Sequence, residues 1–85
     1  MKRHVKIYLD HFGYGEQDFV PCEICGRRAT DIHHIRPKGM GGSKEADNIG
    51  NLMALCRKHH NDFHEGRVHR DVYIARHEMF LEQNN

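Results

Sequence analysis

The chain has 85 residues, of which 38% are hydrophobic and none is Trp. A chain of this size buries only about 60% of the surface that it exposes when unfolded, so a disulfide set or a structural metal usually supports its core. Three Cys are an odd number and exclude a complete disulfide framework, and a formal net charge of +1 excludes nucleic-acid binding through bulk charge alone.

No apolar run is long enough to cross a bilayer, and no signal-peptide core follows the basic start Met-Lys-Arg-His-Val-Lys. A Cys-x-x-Cys motif inside a cell is more often a zinc knuckle or a redox pair than a structural disulfide. We therefore predict a cytoplasmic protein with no membrane association that forms one domain over residues 1–85.

The first half of the chain predicts a helix, a tight turn and a strand. Residues 4–12 fit both a strand and a helix pattern, and we favour a helix that Gly13 ends. Residues 22–26 predict a tight knuckle. A short strand is predicted over 29–35, and Pro37 should end it because proline donates no hydrogen bond to a sheet.

The second half predicts a loop, a short strand and two helices. The segment 38–44 is rich in glycine and predicts a loop, and 48–55 predicts a second strand or extended segment. A helix is predicted from 56 to 65, with Gly66 as its stop. A last helix is predicted over 71–82. Its expected buried stripe consists of Val72, Ala75, Met79 and Phe80.

Two pairs of metal-binding residues have the two-residue spacing of a zinc clamp. Cys22 and Cys25 form the first pair, and Cys56 and His59 form the second. Such a set predicts a closed, tetrahedral structural zinc site. Two alternatives stay open at this point: the first pair is a redox pair and Cys56 is simply buried, or His60 replaces His59 as the fourth ligand.

The chain contains nine His, and several of them fall in two tight groups. His60 and His64 are four residues apart, so on a helix they share one face and can bind the same ion. His33 and His34 are neighbours on the predicted strand, where adjacent side chains point to opposite faces. A common site for these two side chains therefore requires a special arrangement at the end of the strand.

The motifs together resemble those of the HNH endonuclease family. Their order is Cys-x-x-Cys, His-His-Ile-x-Pro, Gly-Gly, and Asn-Leu-x-x-Leu-Cys-x-x-His-His-x-x-x-His, and the resemblance covers residues 22–64. It implies a small α+β fold: the ββα-metal (HNH, or His-Me finger) core with a structural zinc knuckle, here with flanking helices. The family usually has Cys where this chain has His59, and zinc accepts either ligand.

The resemblance also implies a metal-dependent endonuclease that hydrolyses phosphodiester bonds in DNA. By position, His34 matches the general base and Asn51 the middle letter of the motif. His33 and His60 match the ligands of the catalytic cation, and His64 matches an occasional third ligand. The chemistry supports these roles, because an imidazole with a pKa of about 6.5 can take a proton from water near neutral pH. The implied cofactors are a structural Zn²⁺ and one catalytic divalent cation, which is Mg²⁺, Mn²⁺, Ni²⁺, Co²⁺ or Zn²⁺.

Four further residues have expected supporting roles. Asn51 is expected to orient the ring of His34 or the loop that carries it, and the plainer alternative is a turn residue. Arg36, Lys38 and Lys44 flank the glycine loop and are candidate phosphate contacts, with a solvated surface as the equally open alternative. No base-reading helix is visible, so we expect weak sequence specificity and salt-sensitive binding to the DNA backbone.

Two other function classes compete with the nuclease. A non-catalytic zinc-stapled module that binds nucleic acid explains the Cys residues equally well. A zinc domain for protein interaction is the second alternative, and it predicts an exposed apolar patch that this polar sequence does not obviously offer. A second metal site, distinct from the Cys site, would favour the nuclease. Isolated small HNH proteins resemble those that phages and mobile elements encode. This likeness leaves a homodimer or a phage-type protein partner open.

Overall fold

A computed structural model describes residues 1–37 and 44–84, and Lys44 through its backbone only. These described residues form three helices and one antiparallel pair of strands, which confirms the predicted small α+β class. In chain order they are α1 (Arg3–Phe12), β1 (Asp31–His34), β2 (Leu52–Leu55), α2 (Arg57–His64) and α3 (Arg70–Gln83), with short 3-10 turns at Lys44–Ala46 and Ile49–Asn51.

The first segment is a helix, which settles the ambiguity of its pattern. Gly13 ends α1 in the left-handed conformation (φ 74°), which favours glycine because it has no Cβ. The helix buries Tyr8 and Leu9. Tyr8 packs with Leu52 and Ala54 of β2, so α1 covers one face of the strand pair.

The strand pair lies between α1 and the two later helices. Its register places His34 opposite Leu52 and His33 opposite Met53. Because side chains alternate along a strand, Met53 and Leu55 point away from α1 and share a core with Tyr73 of α3. Both strands are shorter than predicted, and a 3-10 turn occupies the segment directly before β2.

The predicted buried stripe of the last helix is wrong in three of its four positions. Tyr73 and His77 are the buried residues of α3, and Phe80 is half-buried against the ring of Phe12. Polar partners decide the buried face: the Tyr73 hydroxyl donates a hydrogen bond of 2.9 Å to the carbonyl oxygen of His59. The exposed positions are Val72 (49% exposed), Met79 (50%) and Ala75.

Among the described residues, no helix combines the length and apolar character needed to cross a bilayer.

A buried polar network ties both outer helices to the knuckle. Glu23 accepts hydrogen bonds of 2.6 Å from the Tyr8 hydroxyl of α1 and from Nδ1 of His77 of α3. The other ring nitrogen of His77 donates to the carbonyl oxygen of Ile49, also at 2.6 Å. Burial alone would lower the pKa of His77, but the Glu23 carboxylate outweighs this effect and raises it. Both ring nitrogens of His77 thus face oxygen acceptors inside the fold, which is the arrangement of an imidazolium paired with a carboxylate.

The substitution His77→Ala is expected to lower the free energy of unfolding by about 3–5 kcal/mol, because it leaves the Glu23 charge buried without a cation. Urea denaturation of the zinc-loaded protein measures the change. The control is His11→Ala, at an exposed position of α1, where the expected change is under about 0.5 kcal/mol. Equal unfolding midpoints for the two variants would show that the network adds no stability.

Candidate metal centres and cleft

The two halves of the predicted zinc site meet in space. Cys22 and Cys25 lie on the knuckle, where Gly26 (φ 79°) allows the tight turn. Cys56 is the N-cap of α2, and His59 follows in its first turn. Ligand atoms of the four residues all lie within 4.8 Å of one another. The structure therefore groups His59, and not His60, with the three Cys.

The distances in this Cys3His cluster fit a tetrahedral ion. With Zn–S near 2.3 Å and Zn–N near 2.05 Å, tetrahedral geometry separates two sulfurs by about 3.8 Å and a sulfur from a nitrogen by about 3.6 Å. Sγ of Cys25 and Sγ of Cys56 are 3.8 Å apart. Nδ1 of His59 lies 3.2 Å from Sγ of Cys56 and 3.8 Å from Sγ of Cys22. The four side chains thus fit zinc.

The pKa shifts in the Cys3His cluster favour the metal-binding form of Cys56 and His59 but oppose it at Cys22. Burial opposes ionisation of Cys56, but the backbone N–H of His59 and the neighbouring thiols lower its pKa. Burial and the nearby Lys58 lower the pKa of His59, which favours the neutral ring that a metal requires. Burial raises the pKa of Cys22. All three Cys are free thiols rather than disulfide partners.

A second cluster lies on the face of the strand pair that α2 covers. Ligand nitrogens of His33, His60 and His64 all lie within 4.8 Å of one another. His33 is only 6% exposed, and within the described part of the chain its Nε2 is a buried polar atom with no hydrogen-bond partner. Burial, followed by the neighbouring His60 and His64, lowers the pKa of His33 to about 4. A buried, neutral imidazole nitrogen without a partner is costly unless something binds it. This tri-histidine cluster therefore fits a divalent cation.

A carboxylate orients one ring of the tri-histidine cluster. Nδ1 of His60 donates a hydrogen bond of 2.9 Å to Asp31, so the lone pair of that ring is on Nε2, which lies 2.9 Å from Nε2 of His64. Burial opposes ionisation of Asp31, but hydrogen bonds from Thr30 and His60 lower its pKa. No role is predicted for Asp31 from the sequence. Its position two residues before His33, on the same face of a strand, is the signal that could have identified it.

His34 points to the opposite face of β1 and has a carboxylate partner of its own. Its Nε2–H donates a hydrogen bond of 2.7 Å to Asp47, whose side chain is buried. This bond leaves the lone pair of the ring on Nδ1. The ring of His4, in the first turn of α1, lies 4.5 Å from the His34 ring. No sequence signal pointed to Asp47, because it lies beyond the glycine loop.

One open cleft borders both the tri-histidine cluster and His34. It has a volume of about 710 Å³, and His33, His34, His60 and His64 all line it. Within the described sheet, β1 pairs with β2 along one edge, and all four residues of β1 line the cleft. Side chains on both faces of β1 therefore border the same space. This arrangement resolves the difficulty that neighbouring strand residues point in opposite directions.

Asn51 holds the chain directly after β1. Its side-chain oxygen accepts a hydrogen bond from the backbone N–H of Arg36 (2.8 Å), and its amide donates to the carbonyl oxygens of Arg36 (3.0 Å) and Ala46 (2.9 Å). From the sequence, Asn51 is expected to orient either the ring of His34 or the loop that carries His34. These hydrogen bonds hold the segment that follows His34 and do not reach its ring.

Of the three predicted phosphate contacts, Arg36 is the one whose side chain the structure describes, and it does not line the cleft. Arg36 is exposed and borders a separate cavity of about 490 Å³ beside Asn51. Lys38 and the side chain of Lys44 lie outside the described residues.

Comparison with known proteins agrees with this geometry. A family model described as HNH endonuclease matches residues 22–66, which contain both clusters. The uncharacterized protein YdfU of Escherichia coli (strain K12) is 42% identical over 48 residues, which cover 56% of this chain and 14% of that protein. A mitochondrial DNA mismatch repair protein mutS homolog of Sarcophyton glaucum is 34% identical over 59 residues, or 65% of this chain and 6% of the relative.

The chain thus spans a small part of the length of both relatives. No solved structure matches it significantly. The family model covers more than half of the chain, and its segment begins at the first Cys of the knuckle and ends just after α2. The chain belongs to the HNH endonuclease family.

Proposed function

We propose that the protein is a metal-dependent endonuclease that hydrolyses phosphodiester bonds in DNA. The observation that carries this proposal is the buried, unpartnered Nε2 of His33 beside two further imidazoles, on the same cleft as His34. In this proposal the tri-histidine cluster holds the catalytic cation, and the Cys3His cluster holds a structural zinc.

His34 is the proposed general base. Its Nδ1 accepts a proton from water as the water oxygen attacks phosphorus and the bond from phosphorus to the 3′ oxygen breaks. Asp47 keeps the proton on Nε2 and stabilises the imidazolium that forms. Asn51 is a positioning residue, because it holds the backbone of Arg36 and thereby the end of the strand that carries His34.

Three neutral imidazoles are a suitable ligand set for this chemistry. When bound, the cation neutralises charge on the scissile phosphate and on the departing 3′ oxygen. His33, His60 and His64 bring no negative charge of their own that would repel the phosphate. Imidazole ligands favour Mn²⁺, Co²⁺, Ni²⁺ or Zn²⁺ over Mg²⁺. We therefore expect a transition metal to support faster cleavage than Mg²⁺.

The competing zinc-stapled binding module explains less of the molecule. It accounts for the Cys3His cluster, but gives no reason for a second group of ligand nitrogens around the buried His33. The name of the Sarcophyton glaucum relative refers to DNA mismatch repair, which supports DNA as the substrate class. The single domain, the cytoplasmic location, the weak sequence specificity and a homodimer or phage-type partner stay predictions.

Cleavage of supercoiled plasmid tests the proposal. Zinc-loaded wild type is expected to nick or linearise the plasmid when Mn²⁺, Co²⁺, Ni²⁺, Zn²⁺ or Mg²⁺ is added, and to leave it intact without added metal. His60→Ala removes a cation ligand and is expected to lower the rate by about 100-fold or more, since even loss of a group that orients a ligand costs 10–100-fold. His11→Ala serves as the control, because it removes an exposed imidazole outside the cleft. Binding without cleavage under every metal would favour the zinc-stapled module.

A further inference from the structure

The first turn of α1 lies outside the family segment, yet it borders the cleft. Lys2, Arg3 and His4 line the cleft together with the four His residues, whereas the family model begins only at residue 22. The same cleft is lined by His33, which is only 6% exposed and whose Nε2 has no partner among the described residues. A segment that the family model does not match therefore forms one wall of the proposed active site.

The rest of α1 holds this wall in place. Tyr8 is fully buried and donates its hydroxyl hydrogen bond to Glu23 beneath the knuckle. The ring of His4 lies against that of His34 at 4.5 Å. Nε of Arg3 lies 4.0 Å from Asp47, the same carboxylate that holds His34. The wall is thus attached both to the core and to the proposed base.

The charge of the wall suits a polyanion. Lys2 and Arg3 are both exposed, and the side chain of Arg3 is 55% accessible. Among the described residues that line the cleft, Asp31 is the one carboxylate, and it already accepts a hydrogen bond from His60. Each strand of DNA carries one phosphate charge about every 3.4 Å. A strand whose scissile phosphate lies at the tri-histidine cluster therefore brings further phosphates past this wall.

We infer that Lys2 and Arg3, at the start of α1, bind the DNA backbone beside the scissile phosphate. This inference rests on the proposed function for the position of the DNA. Arg offers a planar fork of donors that matches phosphate oxygens, and Lys offers a compact charge. Neither group reads base edges, so the contacts would position DNA of any sequence.

Salt-dependent DNA binding by zinc-loaded protein, without a catalytic cation, tests the inference. The probe is a fluorescent duplex, its anisotropy is followed from low to high salt, and the variants are Lys2→Gln and Arg3→Gln. Each variant is expected to bind about fivefold to tenfold more weakly near 0.1 M salt, with a salt slope smaller by about 1, because each loses one phosphate contact. The matched control is Lys6→Gln on the same helix. Lys6 pairs with Asp10 and does not line the cleft. The DNA affinity and the salt slope of Lys6→Gln should therefore equal those of wild type.

The outcomes separate this inference from the proposed function. Affinities and slopes of Lys2→Gln and Arg3→Gln equal to those of Lys6→Gln would overturn the inference, even if the wild type cuts DNA. If the salt slope falls in Lys2→Gln and Arg3→Gln but the wild type cuts no DNA with any metal, the DNA contacts are supported and the nuclease proposal is overturned. Because Arg3 also lies near Asp47, Lys2→Gln is the variant that decides, and thermal unfolding of each variant verifies that the fold is intact.

Discussion

Removal of the metal from the Cys3His cluster is expected to unfold the domain. The cluster joins the knuckle to the start of α2, and Cys22 and Cys56 are themselves part of the core that contains Met53 and Leu55. Structural zinc contributes about 10–16 kcal/mol in small zinc domains, whereas the whole stability of a domain is usually about 5–15 kcal/mol. Without the ion, a two-stranded sheet and three short helices do not bury enough apolar surface to stay folded.

Circular dichroism and elemental analysis measure this effect. Wild type is expected to contain zinc, to lose helical signal and its cooperative thermal transition when a strong chelator removes the zinc, and to regain both when zinc is restored. Cys25→Ser removes one ligand at an exposed position, so little packing is lost, yet the variant should bind no zinc and show no thermal transition. Val72→Ser, at a half-exposed position of α3, is the control and should cost under about 1 kcal/mol. A wild-type melting temperature for Cys25→Ser would refute a structural metal at this cluster.

Features that depend on spacing within one element were predictable from the sequence. His60 and His64 share a face because they are four residues apart on α2, and Gly13 ends α1 because its left-handed backbone excludes most side chains. The choice between His59 and His60 was not predictable in this way. Consecutive residues on a helix differ by about 100°, so only one of the two can face the knuckle, and the packing of α2 on β1 decides which.

Features that depend on distant polar partners were beyond the sequence pattern. Asp47 becomes the partner of His34 only because the chain returns to β1 after the glycine loop. The buried face of α3 contains His77, whereas the apolar Val72 and Met79 are exposed, because the buried Glu23 pairs with His77. Polar residues are expected at the surface, so a helix that buries a His by pairing it cannot be oriented from hydrophobicity alone.

The substitution His34→Ala is expected to lower the rate of plasmid cleavage by about 10²–10⁴-fold, the usual contribution of a positioned general base. DNA affinity and the zinc content should stay at wild-type values, because His34 belongs to neither metal cluster. The His34 ring lies between Asp47 and the His4 ring and borders the open cleft. Its removal therefore leaves a space that solvent can enter rather than a sealed cavity in the core.

Chemical rescue distinguishes a base from a merely structural residue. Added imidazole should restore part of the activity of His34→Ala, with a rate that rises with pH as imidazole loses its proton. His34→Gln keeps a polar side chain that can contact Asp47 but cannot take a proton from water, so it should be as inactive as His34→Ala and gain nothing from imidazole. Cleavage by His34→Gln at the wild-type rate would place the base elsewhere in the cleft. Equal failure of both variants to respond to imidazole, together with lowered melting temperatures, would reduce His34 to a packing role.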